Sequence, residues 1–373
     1  MNSARLIIDS PDRNSSLLYI TGFYCIDPII YIDFNGKSYG FFPSTEFERA
    51  KRISKLNCVY NFSELVQKSG SGSLKKSKIK ILVDFLRSNN ISSLIVQDTF
   101  PAYDFMILKN EGYDIECKEE PFFSERLIKS KEEIDIIRSI SLSLTKVMDK
   151  VKVLVSNSSI EKKFVVYEKK RLTSEFIQSF ILKEFIDMGL SADLVIVAIG
   201  DQGCDPHETG FGNIREGDSI IVDIFPRSRT NFYFSDMTRT FCKGKASDSL
   251  KKLYDTVRIV QQSVIDDLNS SASGTRLHSK AVELFKKYGY ESGVIDGFLQ
   301  GFIHGTGHGL GLECHEPPFI SMSGGELPEN TIVTVEPGLY YKGIGGVRIE
   351  DTVRVKSNGV EILTDYEKIL EIE

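Results

Sequence analysis

A chain of 373 residues is long enough for two hydrophobic cores, and 41% hydrophobic with 26% charged residues is the composition of an ordinary globular protein. Its net charge of −6, from 46 basic and 52 acidic residues, lacks the basic field that a nucleic-acid partner requires. No run approaches the ~20 apolar residues of a membrane span, the opening MNSARLIIDSPDRN carries no signal-peptide core, and six scattered cysteines without a CxxC pair predict reduced thiols in the cytoplasm.

Two runs of β-formers come first, LLYITGFY (17–24) and PIIYIDFNGKSYGFF (28–42), and Asn35-Gly36 marks a hairpin turn inside the second. A Gly/Ser/Lys stretch, QKSGSGSLKKSK (67–78), reads as a mobile, solvated loop. A helix (79–90), a strand (92–98) and a further helix (103–113) follow. Ser130 with Glu133 three positions on has the pattern of a capping box, and Ile134, Ile137, Ile140 and Leu144 then recur at helical spacing. These features predict an α/β domain over residues 1–124 and a second domain over 125–373.

The second domain carries an approximate internal echo. Helices over 131–155 and 169–188 precede ADLVIVAIG, DSIIVDIF and TNFYFSDMTRTF; helices over 248–269 and 276–288 precede GFIHGTGHGLGLECH, NTIVTVEPGLYY and GVRIEDTVRV. Three of the five histidines, His304, His308 and His315, fall within one short glycine-rich run. The His304–His308 spacing is that of a helical zinc motif. However, Gly305, Gly307, Gly309 and Gly311 exclude a helix at roughly 1 kcal/mol apiece. The dinucleotide pattern GxGxxG fails at Leu310 or Leu312. A strand or bulge passing close to a bound group fits better. Asp223, Asp236, Glu336 and Glu350 each end or follow an apolar β-run, where a lone carboxylate is costly to bury. Singly, each would be read as a cap, and each histidine as a core residue. Together they point to a shared cation site.

The set VDIF, SDMTRTF, HGTGHGLGLECHEPP, TVEPGLYY and GVRIEDT resembles, in order, the motifs of the pita-bread metallopeptidases, the family of aminopeptidase P, prolidase, methionine aminopeptidase and the metal-free creatinase. The resemblance implies an α+β chain. A C-terminal pita-bread (creatinase/aminopeptidase-like) domain would carry catalysis, and a smaller creatinase-N-terminal-like α/β domain would serve oligomerisation or cleft closure. It implies two divalent ions, manganese first, with cobalt, iron or zinc as alternatives. Asp223, Asp236, His308, Glu336 and Glu350 would be their ligands. A metal-bridging hydroxide would release the N-terminal residue of Xaa-Pro peptides, as an aminopeptidase or a dipeptidase. Glu336 would relay its proton, with His207 and His315 as catalytic helpers, and His304 and Arg348 would handle the proline-containing substrate. A homodimer is expected, with neither nucleic acid nor membrane as a partner. The alternatives are a metal-free peptide-binding relative, a creatinase-like amidinohydrolase and a methionine aminopeptidase. Asp223 and Asp236 stand two residues further apart than is commonest in the family, an even insertion that keeps both on one face of a hairpin. His278 is expected on a helix surface, Cys204 and Cys314 as mere neighbours of the site, and Tyr340 and Tyr341 in either pocket or core.

Overall fold

The computed structural model describes residues 2–69 and 74–373, and it forms two compact units, Met1–Arg126 and Leu127–Glu373. The first is built on β1 (Ser3–Asp9), α1 (Ser15–Thr21), β2 (Ile29–Phe34), β3 (Lys37–Phe42), α2 (Ser44–Ile53), β4 (Cys58–Asn61), α3 (Phe62–Ser69), α4 (Leu74–Ser88), β5 (Ser93–Gln97), α5 (Ala102–Asn110) and β6 (Asp114–Lys118). Its six strands lie in the order β4-β3-β2-β1-β5-β6. Alternation along the strands divides the apolar residues between two faces. Ala4, Leu6, Ile8, Ile30 and Ile32 pack against Ile79, Leu82 and Leu86 of α4, whereas Ile7, Ile29 and Tyr31 pack against Leu17 of α1 and Ala50 of α2. The expected hairpin is present, with Asn35 and Gly36 both left-handed (φ 51° and 71°) between paired β2 and β3.

The run LLYITGFY corrects an expectation. It forms α1 rather than a strand, because Asn14 caps it by accepting from Leu17 N–H (2.8 Å) and Gly22, at φ 57°, ends it. The loop expected over 67–78 lies in part outside the described residues. Its flanks belong to the end of α3 and the start of α4.

The second unit opens on α6 (Lys131–Ser156). The predicted capping box is formed: Ser130 Oγ accepts from Glu133 N–H and Glu133 Oε2 accepts from Ser130 N–H. A short meander follows, β7 (Ser159–Glu161), β8 (Phe164–Tyr167) and β9 (Lys170–Arg171), so α7 (Ser174–Asp187) starts later than expected, at a Thr173 cap. Next come β10 (Leu190–Ser191), β11 (Ile196–Ile199), β12 (Ile220–Ile224), β13 (Arg227–Ser228) and β14 (Met237–Lys243). After α8 (Asp248–Asp267) and α9 (Gly274–Lys287) the chain runs through β15 (Gly293–Ile295), β16 (Phe298–Gln300), β17 (Gly307–Gly309), β18 (Glu316–Ile320), β19 (Ile332–Val335), β20 (Gly338–Tyr341), β21 (Gly345–Arg348), β22 (Asp351–Val355), β23 (Val360–Ile362) and β24 (Glu371–Ile372). The two larger sheets have the orders β11-β12-β14-β24 and β18-β17-β19-β22-β23. Their inner apolar residues are shut off from water: Val257, Val260 and Val264 of α8 and Leu277 and Ala281 of α9 pack on Val333, Val335 and Val353. That burial is the main stabilising term of the unit. No helix among the described residues is long and apolar enough to cross a membrane.

Candidate metal centre

The two sheets meet where β14 and β22 begin. Thr352 Oγ1 donates to Asp236 O (2.8 Å), and Glu350 N–H donates to Thr238 O (3.0 Å). Arg239, wholly buried, closes the junction by donating to Glu350 O (2.6 Å) and to Asp351 Oδ1 (2.7 Å). Asp236 and Glu350 are thereby brought together from positions far apart in sequence. β12 pairs with β14 so that Asp223 faces Thr238, which puts Asp223 and Asp236 on one side of the ribbon. The longer connection between them is not a plain turn. Its Arg227–Ser228 departs as β13 to pair with β10.

The glycine run supplies the imidazole. Glycine is required at 307 and 309 because a Cβ there would lie 1.9 Å from Thr334 O and 2.4 Å from Glu316 O. β17 is a bulged strand, as expected, and at Gly307 and Gly309 the close approach is to the protein's own backbone. His308 N–H donates to Thr334 Oγ1 (3.1 Å), and Nδ1 lies 3.0 Å from Gly309 O. A carbonyl can only accept, so Nδ1 carries the proton and Nε2 presents a lone pair to the acids. Nε2 is 3.4 Å from Glu336 Oε1 and 3.8 Å from Asp236 Oδ2. Ligand atoms of Asp236, His308 and Glu350 all lie within 4.8 Å of one another.

The electrostatics of the donor set favour divalent ions. Oδ1 of Asp223 and Oδ1 of Asp236 are buried and accept no hydrogen bond. Such atoms are rare unless something outside the chain satisfies them. Burial, then the charges of Asp223 and Glu336, raises Asp236 well above the usual carboxylate range; burial, then Asp236, does the same to Glu350. Burial likewise pushes Glu336 up to about 8 and His308 down to about 3. Acids crowded this closely resist ionising together unless a cation joins them. Four carboxylates and one neutral imidazole suit hard dications, so the residues fit.

All of the predicted site residues line one cavity of about 720 Å³, together with the apolar side chains of Leu194, Ile196, Phe225, Ile303 and Phe319. Asp223 differs from the other acids in that its Oδ2 accepts from Arg348 Nη2 (2.7 Å). Arg348 Nη1 donates to Tyr340 Oη (2.9 Å), and Tyr340 in turn lies 2.8 Å from His304 Nε2. His304 Nδ1 is 2.7 Å from Gly305 O, so Nε2 accepts and the ring is neutral, consistent with burial pushing it down to about 3. His304 and Arg348 therefore spend their polar atoms on protein partners. His207 and His315 are the exposed histidines, and His315 rests edge-on against His308 with ring centroids 4.2 Å apart.

Five residues take places that the sequence left open or put elsewhere. His278 is not on the surface: it is buried on α9, with Nδ1 2.9 Å from Thr306 Oγ1 at the back of the glycine run. The apolar stripe Leu277, Ala281 and Phe285 on α9 runs through that position, and this spacing was the signal that could have placed it inside. Tyr340 is wholly buried in the His304–Arg348 bridge, while Tyr341 donates to Glu291 O (2.6 Å) outside it. Cys314 lines the cavity, its thiol donating to Asp236 Oδ2 (3.5 Å), whereas Cys204 packs behind the cavity wall with Ile196, Ile221 and Tyr340.

Residues 140–357 match metallopeptidase family M24. The chain is 30% identical to the Xaa-Pro dipeptidase of Pyrococcus furiosus over 332 residues, 88% of this chain and 84% of that one. It is 31% identical to a putative Xaa-Pro aminopeptidase of Mycoplasma genitalium over 281 residues, 73% and 72% of the two chains. Among solved structures, the prolidase from Pyrococcus horikoshii superposes with a TM-score of 0.79 at 26% identity, over 99% of this chain and 95% of that one.

Proposed function

This chain belongs to metallopeptidase family M24 and has its pita-bread fold, and from that premise we propose that it is an exopeptidase that uses two divalent ions, manganese first, to release the N-terminal residue of Xaa-Pro peptides. The observation that carries the reading is the pair of buried, unpartnered Oδ1 atoms on Asp223 and Asp236, set beside His308, Glu336 and Glu350 in one cavity that also has an apolar wall. Bound there, the ions would supply an activated water and polarise the scissile carbonyl.

The chain's own residues divide the remaining work. Asp223, Asp236, His308, Glu336 and Glu350 hold the ions. Glu336, a carboxylate that lines the cavity with its Oε1 3.4 Å from His308 Nε2, accepts the attacking water's proton. It returns that proton to the departing proline nitrogen. His315 and His207 stand at the cavity wall to steady the oxyanion and the leaving amide. His304 and Arg348 handle substrate through what they hold, Tyr340 and Asp223. Proline has no N–H and a fixed φ, so a dedicated apolar wall has a physical rationale. Homodimerisation, served by Met1–Arg126, and a cytoplasmic location complete the reading.

The test is a length series, X-Pro, X-Pro-Y and X-Pro-Y-Z, with manganese, cobalt and zinc compared and Met-Ala-X as control. Cleavage after X in any Xaa-Pro member is expected, and it should stop on adding chelator. Cleavage of Met-Ala-X alone would transfer the chain to the methionine aminopeptidase reading. No cleavage of any peptide would sink the proposal.

A further inference from the structure

Lys129 and Glu316 form an ion pair that no step of the proposed reaction uses. Nζ lies 2.6 Å from Oε1, and the two side chains are only 1% and 4% exposed. The Glu316 carboxylate also accepts from Glu313 N–H (3.4 Å), and a Cβ on Gly311 would lie 2.6 Å from Oε1. The turn 311–316 is thus wound around a carboxylate, with glycine where a side chain would strike it. Two cavity-lining side chains, Cys314 and His315, ride on that turn. Lys129 is itself anchored: its N–H donates to Asn330 O (3.0 Å), and the next residue is the Ser130 cap of α6.

A buried ion pair adds little net stability, because the hydration lost by both ions offsets their attraction, and apolar replacements of similar shape are often neutral. What such a pair can fix is one conformation of a turn. We propose that Lys129 and Glu316 are positioning residues that hold the 311–316 turn so that His315 stays against His308 and the Cys314 thiol stays on Asp236. The kinetic consequence rests on the reading given under Proposed function; the structural one does not.

The test combines kinetics with histidine NMR, which five histidines keep assignable by single His→Gln variants. The apolar double variant Lys129→Met/Glu316→Leu is expected to fold and to lose about 10- to 100-fold in kcat on X-Pro-Y with KM little changed, the usual size of a lost supporting contact. In metal-free protein the His315 imidazole resonance should lose its ring-current shift from His308, while His278 and His304 stay in place. An unmoved His315 resonance or an unchanged kcat would overturn the proposal. Should the double variant fail to fold, Lys129→Arg keeps the charge but changes the reach, and His315 in its wild-type position there would equally overturn it. If the wild-type chain cleaves no Xaa-Pro peptide, the functional reading fails alone, and the resonance still decides the positioning role.

Discussion

His308 Nε2 and Asp236 Oδ2 come within 3.8 Å of one another because a hydrogen bond fixes each residue from behind, Gly309 O accepting from the ring and the Thr352 hydroxyl donating to the aspartate's carbonyl. Replacing His308 with Ala removes the one imidazole donor and should abolish high-affinity manganese binding, as measured by calorimetry on apo protein. Retained affinity would remove His308 from the ligand set. Glu336→Gln keeps the shape but not the base, and kcat on X-Pro-Y should fall by about 10²–10³. A variant as active as wild type would deny Glu336 the proton. At this scale the acids and three histidines were legible because each stands out against a β-run or a glycine run. His278 and Tyr340 were not, since a helix face and an aromatic pair are what any core contains. Only the Thr306 and Arg348 contacts give them a place at the site.

Elements were legible where one local device dominated. The Asn35-Gly36 turn and the Ser130–Glu133 box both formed as read, because each satisfies its backbone groups without help from distant residues. LLYITGFY misled because its composition favours a strand while its brackets, Asn14 and Gly22, favour a helix. Asn14→Ala should cost about 1 kcal/mol of stability in a denaturant titration, and no change would mean that packing alone makes α1 helical. The glycine run offers a sharper contrast. Gly307→Ala drives a Cβ into Thr334 O, whereas at Gly305 the nearest atom would be 3.5 Å away. The first should destabilise by about 1–3 kcal/mol or more and weaken metal binding, and the second should do neither. Equal effects at both positions would contradict the crowding argument.

At the scale of the whole molecule, the candidate metal centre is assembled where two sheets from different stretches of chain meet at Asp236 and Glu350, a junction that no local pattern discloses and that only the ordered set of motifs suggested. That arrangement has a pH signature. Burial moves the Glu336 carboxyl from its ordinary 4.5 up to about 8, so the stability it contributes as a neutral acid is complete below about pH 4.5 and is lost as pH rises through about 8. In chelator, Tm should therefore fall across that window, and Glu336→Gln should flatten the fall. Saturating manganese should counter it, because the ions prefer the ionised carboxylates. Parallel Tm curves with and without metal would contradict the linkage. The most direct measurement of the central claim is anomalous diffraction at the manganese edge from crystals soaked in Mn²⁺. Two peaks enclosed by Asp223, Asp236, His308, Glu336 and Glu350 are predicted; no density there, or peaks held by other residues, would contradict the account.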